Sequence, residues 1–224
     1  MKPLLVFDVN ETLLDLETVT PIFERIFGEK AAMRLWFADL ILYSEALTLA
    51  GAYTPFTDIG AAVLQMLAAA GGVEVTERDK RELTDAFASM PPYPDVPPAL
   101  QRLRDAGFRL FTLTNNLLEI QTRQLERGGI VQYFERIFSV DAVRRHKPAP
   151  EVYAHVAQQL DVKPSDLLLI ASHTWDTLGA VAAGWHAALL KRPGNDVLSV
   201  GPQPDLIGSD LNDIAEQLIS QADV

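Results

Sequence analysis

The chain opens with an apolar run, Leu4-Leu5-Val6-Phe7, that stops at a carboxylate, Asp8, and continues through Val9-Asn10-Glu11-Thr12 into a second apolar stretch. A short unbroken apolar run of this kind reads as a buried strand. From residue 17 to 89 the spacing changes to that of helices. Ile22, Phe23, Ile26 and Phe27 share one face, as do Leu35, Trp36, Leu40, Tyr43 and Leu47. Residues 51–55 and Gly71-Gly72 break this stretch, and Thr76 with Asp79 three positions later predicts a capped helix start. The segment Pro91-Pro92-Tyr93-Pro94-Asp95-Val96-Pro97-Pro98 reads as a stiff boundary. Beyond it, strand-length runs at 109–113, 137–140, 167–171 and 187–190 alternate with helical windows at 117–127, 151–160 and 175–183, and a closing helix spans 210–219. That rhythm predicts parallel strands joined by right-handed crossovers. The first strand has no partner in the helical stretch, so it joins the later sheet. The expected fold is an α/β core built from residues 1–14 and 95–224, with a helical cap, residues 15–94, inserted after strand one.

Composition narrows the chemistry. The 224 residues carry a net charge of −11 and no cysteine. The charge argues against nucleic acid as a partner, which would call for a basic stripe. The missing thiols exclude disulfides, thiolate zinc sites and cysteine nucleophiles. No apolar run approaches the roughly 18 residues of a membrane span, and the first strand follows almost directly on the first residue, so a cytoplasmic protein off the membrane is expected.

Candidate chemistry gathers where strands end, the edge at which open α/β sheets bind ligands. Asp8 ends the first strand. The second ends in Thr114-Asn115-Asn116, the basic segment Arg144-Arg145-His146-Lys147-Pro148 precedes a helix carrying Tyr153, and the fourth ends in Ser172-His173-Thr174-Trp175-Asp176. Singly, Thr114 and Ser172 read as N-caps, Lys147 as a surface lysine, and Asp176 as a first-turn acid favoured by the helix dipole. Polar endings on successive strands point instead to one shared site. His146, His155 and His186 read as incidental.

The run Phe7-Asp8-Val9-Asn10-Glu11-Thr12-Leu13, then Thr114-Asn115, then Lys147-Pro148 through Val152-Tyr153, then Ser172 to Asp176 with Trp175 before the acid, resembles the haloacid dehalogenase superfamily over nearly the whole chain. Within it, the type II 2-haloacid dehalogenases are the nearer likeness. The resemblance implies a Rossmann-like core, an Asp8 nucleophile, and a metal-independent hydrolase that opens short 2-haloalkanoic acids through an aspartyl ester. It implies that Lys147 keeps Asp8 ionised, that Asp176 positions or activates the hydrolytic water, and that Tyr153 supports Lys147. Thr12, Thr114 and the backbone amides after Asp8 (at Val9) and Asn115 would hold carboxylate oxygens, Asn115 would also meet the departing halide, and Ser172 belongs to the same catalytic set.

Several positions depart from that pattern. Asn10 stands where the superfamily's phosphatases carry the acid that protonates a leaving alcohol, and an amide cannot serve. Ser172-His173 replaces the acidic pair that would help hold Mg²⁺, a cation that prefers oxygen donors. No cofactor is therefore expected. Phe37 occupies the place of the cap arginine that receives halide and substrate carboxylate, with Arg34 one turn earlier as a partial substitute. His173 stands for an asparagine and Glu11 for a glycine. Trp36, Phe37, Tyr43 and Trp175 are candidates for an apolar halogen pocket. A phosphatase, using Mg²⁺, and a non-catalytic binding protein of the same fold are the alternatives. The likeness also implies a small-molecule substrate and a homodimer formed through the cap helices.

Overall fold

The computed structural model describes residues 2–222. Its sheet has six parallel strands, β1 Leu4–Phe7, β2 Leu110–Thr114, β3 Arg136–Ser139, β4 Leu167–Ala171, β5 His186–Leu190 and β6 Leu206–Gly208, in the spatial order β3-β2-β1-β4-β5-β6. β1 lies between β2 and β4, with Val6 in register with Phe111 on one side and Leu169 on the other. Helices cover both faces, so these central strands are buried throughout and read as unbroken apolar runs. The pleat divides them: Leu5, Phe7, Leu168 and Ile170 join one core cluster, while Leu4, Val6, Leu167 and Leu169 join the other. Asp8 is the first residue past β1, at the point where the chain order of the sheet reverses.

Four helices, α1 Thr20–Phe27, α2 Ala31–Leu49, α3 Phe56–Gly71 and α4 Glu77–Ala88, follow a single 3-10 turn after β1. The expected breaks near residues 51–55 and 71–72 separate α2, α3 and α4, and the Thr76–Asp79 capping box is present in both directions. A further break was not anticipated: Gly28, at φ 80°, ends α1 in the left-handed conformation that glycine adopts without steric cost. The two chain crossings between these helices and the sheet lie side by side. Asp15 donates its N–H to the Pro91 carbonyl at 2.8 Å, and Tyr93 donates to the Leu13 carbonyl at 2.9 Å.

The proline segment is more than a boundary. Pro97 and Pro98 sit in the first turn of α5 Val96–Asp105, where the missing N–H costs no intrahelical bond. The sequence also gave no sign of β6, whose three residues are too few for a readable alternation. The remaining helices are α6 Leu118–Arg127, α7 Pro150–Leu160, α8 Thr174–Ala182 and α9 Leu211–Ala222. Among the described residues, no helix is long and apolar enough to cross a membrane.

α7 and α8 meet closely at Gly179. A Cβ there would sit 2.5 Å from Pro148 Cβ and 2.6 Å from the Tyr153 hydroxyl. Gly179→Ala is therefore expected to cost about 1–3 kcal/mol through overpacking, read as a lowered urea midpoint at unchanged m-value. A midpoint equal to that of the parent protein would contradict this packing.

Candidate active site

Asp8, Lys147 and Asp176 come together from three separate segments. Lys147 is fully buried and directs its ammonium to Asp8 Oδ1 at 2.8 Å, Asp176 Oδ2 at 2.5 Å and the Leu113 carbonyl at 3.1 Å. Its three protons are thereby all used. The loop is fixed from behind as well, since the Lys147 N–H donates to Asn115 Oδ1 at 2.9 Å. Asp176 is held from its other side by the Tyr153 hydroxyl, which donates to Oδ1 at 2.7 Å.

The second oxygen of Asp8 accepts from Thr12 Oγ1 at 2.7 Å, and Thr12 Oγ1 in turn accepts from the Ser172 N–H at 2.9 Å. Burial pushes the Asp8 carboxyl up, but the Lys147 ammonium and His173 outweigh it and hold Asp8 well below the usual carboxylate range. Burial dominates at Asp176, whose carboxyl is raised against the pull of Lys147. Burial and Asp176 keep Tyr153 a phenol at neutral pH.

A small cavity of about 10 Å³ adjoins Asp8, walled by Asn10, Thr114, Asn115 and His173 together with the apolar side chains of Phe37, Ile41, Phe56 and Trp175. That volume is enough for roughly one water molecule. Asn10 Oδ1 is buried here without a partner. Several expectations need correcting against this geometry. Trp36 does not reach the cavity: its ring packs on Phe23 and Phe87, and its N–H donates to the Gly60 carbonyl at 2.9 Å. One helical step of about 100° separates it from Phe37, which does line the cavity. Tyr43 is exposed on α2 and is absent from the cavity wall; Val9 turns its side chain into the core, which bears on that side chain and not on the role expected of its amide. Asp176, expected to act on the hydrolytic water, is not part of the cavity wall and is held between Lys147 and Tyr153; Tyr153 reaches Lys147 only through Asp176. Arg34 is no substitute for a cavity arginine, because it is bound to Glu11, Glu17 and the Pro193 carbonyl. His146, read as incidental, is a buried packing residue stacked on Tyr53, with Nε2 3.0 Å from the Thr54 carbonyl.

The grouping that sequence reasoning missed is Glu11 with His173. Glu11 is a buried non-glycine residue at φ 64°, a conformation costing about 1–2 kcal/mol. Its carboxylate lies 2.7 Å from His173 Nε2 and also pairs with Arg34. His173 Nδ1 is 3.4 Å from Asp8 Oδ2 but lacks hydrogen-bond geometry, and the ring stacks on Trp175 at 5.1 Å between centroids. The replacement of glycine and asparagine by Glu11 and His173 was visible in the sequence; that the two pair with each other was not.

Burial works against a charged His173, yet Asp8 and Glu11 prevail, and its pKa is pushed up to about 9 from an ordinary 6.5. A raised pKa contributes stability that is complete below about pH 6.5 and is lost as pH climbs through about 9. The loss should be on the order of 3 kcal/mol. Denaturant unfolding at pH 6 and pH 9.5 is expected to show it in the parent protein and not in His173→Asn; equal slopes in both would remove His173 as the source.

Comparison with known proteins extends the site to a family. The family model described as haloacid dehalogenase-like hydrolase matches residues 3–184. (S)-2-haloacid dehalogenase 1 of Pseudomonas sp. (strain CBS-3) is 31% identical over 189 residues, covering 84% of this chain and 83% of the relative. Haloacetate dehalogenase H-2 of Moraxella sp. (strain B) is 28% identical over 201 residues, covering 89% and 90%. A crystal structure of an L-2-haloacid dehalogenase matches with a TM-score of 0.92 at 27% identity, over 97% of this chain and 98% of that one. A match that runs through every motif-bearing strand makes this chain a member of the haloacid dehalogenase-like hydrolase family.

Proposed function

We propose that this protein hydrolyses the carbon–halogen bond of short (S)-2-haloalkanoic acids through a covalent ester on Asp8, without a metal ion. The observation that carries the reading is the Lys147 ammonium lodged between Asp8 and Asp176, 2.8 and 2.5 Å from their oxygens. It keeps Asp8 anionic, as a nucleophile must be. It also fills the space between the two carboxylates that a divalent cation would need, so the donors present do not fit Mg²⁺. The names of the relatives support the substrate class.

In the first step an Asp8 oxygen bonds to C2 of the acid as the carbon–halogen bond breaks, and the halide leaves with the bonding pair. Attack from the side opposite the halogen inverts C2. The halide leaves as a stable anion and needs no proton, so the absence of an acid at Asn10 is no handicap, whereas a departing alkoxide would require one. Water then adds to Cγ of the ester, releasing a 2-hydroxy acid and restoring Asp8. Phe37, Ile41, Phe56 and Trp175 give this chemistry a low-polarity wall that strengthens the charge interactions inside it.

A homodimer formed through α2 is part of the same proposal. This helix is apolar on both faces: Trp36, Phe37 and Leu40 are buried, while Leu35, Leu42 and Leu49 lie exposed at seven-residue spacing with Ala38 and Ala46 between them. A helix that exposes a leucine stripe away from its buried face calls for a second covering surface, and a symmetric copy of the same stripe supplies one.

With (S)-2-chloropropionate the protein is expected to release chloride at a rate unaffected by chelator, and Asp8→Asn to lower that rate by about three orders of magnitude or more. Chelator-sensitive phosphate release from an aryl phosphate, with no chloride from the haloacid, would reject the assignment in favour of a phosphatase. Light scattering is expected to give a dimer for the parent chain and a monomer for Leu42→Glu; a parent monomer would leave the α2 stripe unexplained by self-association.

A further inference from the structure

The helices α1 to α4 join the sheet through two neighbouring chain crossings, near Leu13 to Asp15 and Pro91 to Tyr93, so their closure over Asp8 depends on contacts made elsewhere. One such contact engages the residue beside Lys147. His146 is fully buried, its N–H donates to Thr48 Oγ1 at 3.0 Å in the last turn of α2, and its Nε2 lies 3.0 Å from the Thr54 carbonyl. A carbonyl only accepts, so Nε2 carries the proton. The ring packs against Tyr53, with centroids 5.1 Å apart, and against Phe56 at 5.9 Å. Two successive side chains of one loop thus diverge, His146 towards the helices and Lys147 towards the sheet edge.

We propose that His146 is a positioning residue: as a neutral ring it ties the connection between α2 and α3 to the lysine loop, and so sets the Phe56 wall and the Lys147 ammonium together against Asp8. This rests on the covalent reading given above. Phe56 stands two residues after Thr54 and walls the cavity, while Lys147 follows His146 directly, so one ring governs both sides of the site. The bonds around it serve the same junction. The Tyr53 hydroxyl donates to Asp141 Oδ1 at 2.9 Å, and Arg144 lays its guanidinium 4.8 Å from the centre of the Tyr53 ring. Arg144 is a non-glycine residue at φ 52°, a conformation that persists only where the surroundings enforce it.

The junction suits the neutral ring alone. Nδ1 is buried without a partner, so a proton added there meets no acceptor. Along its own loop the ring is flanked by the cations Arg144, Arg145 and Lys147. The elements packed on it present Thr48 from α2, Tyr53 and Thr54 from the connection, and Phe56 from α3, all uncharged. Asp141 is engaged by Tyr53, and the acids that α2 and α3 carry nearby in the chain, Glu45 and Asp58, form no ion pair with the ring. Burial accordingly pushes the His146 pKa down from an ordinary 6.5. A lowered pKa gives docking that is complete above about pH 6.5 and is lost as pH falls below it towards the value of the docked ring. The closed population falls with it. A haloacid that binds the closed form then shows a raised KM with kcat largely kept, because saturating substrate restores closure.

Two measurements test this: chloride release from (S)-2-chloropropionate between pH 5 and 8.5, resolved into KM and kcat, and backbone hydrogen exchange of residues 50–56. In the parent protein KM is expected to rise about tenfold from pH 7.5 to pH 5. Exchange of that segment, corrected for its intrinsic rate, should quicken over the same interval. His146→Gln keeps a donor for the Thr54 carbonyl but cannot ionise, so its KM and exchange should stay level with pH, a rescue that a merely structural role would not give. His146→Phe keeps the ring packing without the donor and should show the raised KM and fast exchange at every pH. Thr48→Val leaves His146 in place and should move KM the same way to a smaller extent, which protects the test against a misfolded His146 variant. An acid rise in KM that survives in His146→Gln belongs to another group, such as Asp176, and overturns the proposal. So does an acid loss confined to kcat, or exchange of residues 50–56 in the parent that is equal at pH 5 and pH 7.5. If the parent protein releases no chloride, the covalent reading fails, while the exchange of parent against His146→Gln still decides whether this ring docks the connection.

Discussion

A single ammonium organises the centre of this protein. Lys147 is taken wholly out of water, which costs several kcal/mol for a charged group. That cost is offset only because two carboxylates and a backbone carbonyl receive all three of its protons. Each partner comes from a different place: Asp8 from the end of β1, Leu113 from β2, Asp176 from the first turn of α8. The parallel sheet, the position of β1 between β2 and β4, and the close approach of α7 to α8 at Gly179 are the conditions under which those partners converge.

From that pair the charges continue in alternation. Asp176, Lys147, Asp8, His173, Glu11, Arg34 and Glu17 form a chain in which each group touches one of opposite sign. The chain joins the sheet edge to α2, since Arg34 belongs to that helix and Glu11 to the loop after β1. Substitutions that look isolated in sequence belong together here. Glu11 binds Arg34 and raises the basicity of His173, while Phe37 leaves an apolar wall beside the imidazole. The cavity therefore has a cationic group on its sheet side and hydrocarbon on its helical side.

Much of the fold was legible because its signals are local. β4 was predicted with its observed limits and the other anticipated strands within one residue at each end, since buried parallel strands are continuous apolar runs bounded by polar residues. Capping chemistry marked α4. The misses have local causes too. Proline reads as a stop unless its place in the first helical turn is known, which hid α5, and β6 is too short to carry a period. On α2 the pattern could not tell which of two adjacent aromatic residues faces the site, because both are buried and leucines recur on the exposed face as well.

By itself, then, the sequence determined the order of the elements it marked, the carboxylate that ends β1, the candidate lysine and the polar strand ends, because these depend on residue type and spacing along short stretches of chain. Only the tertiary structure decided which of those polar groups face the cavity, that Asp176 is sealed behind Lys147, that Arg34 is already engaged, and that Glu11 meets His173 across 162 positions. Ion pairing and desolvation depend on distance through space, and the chain fixes that distance only once the sheet is assembled.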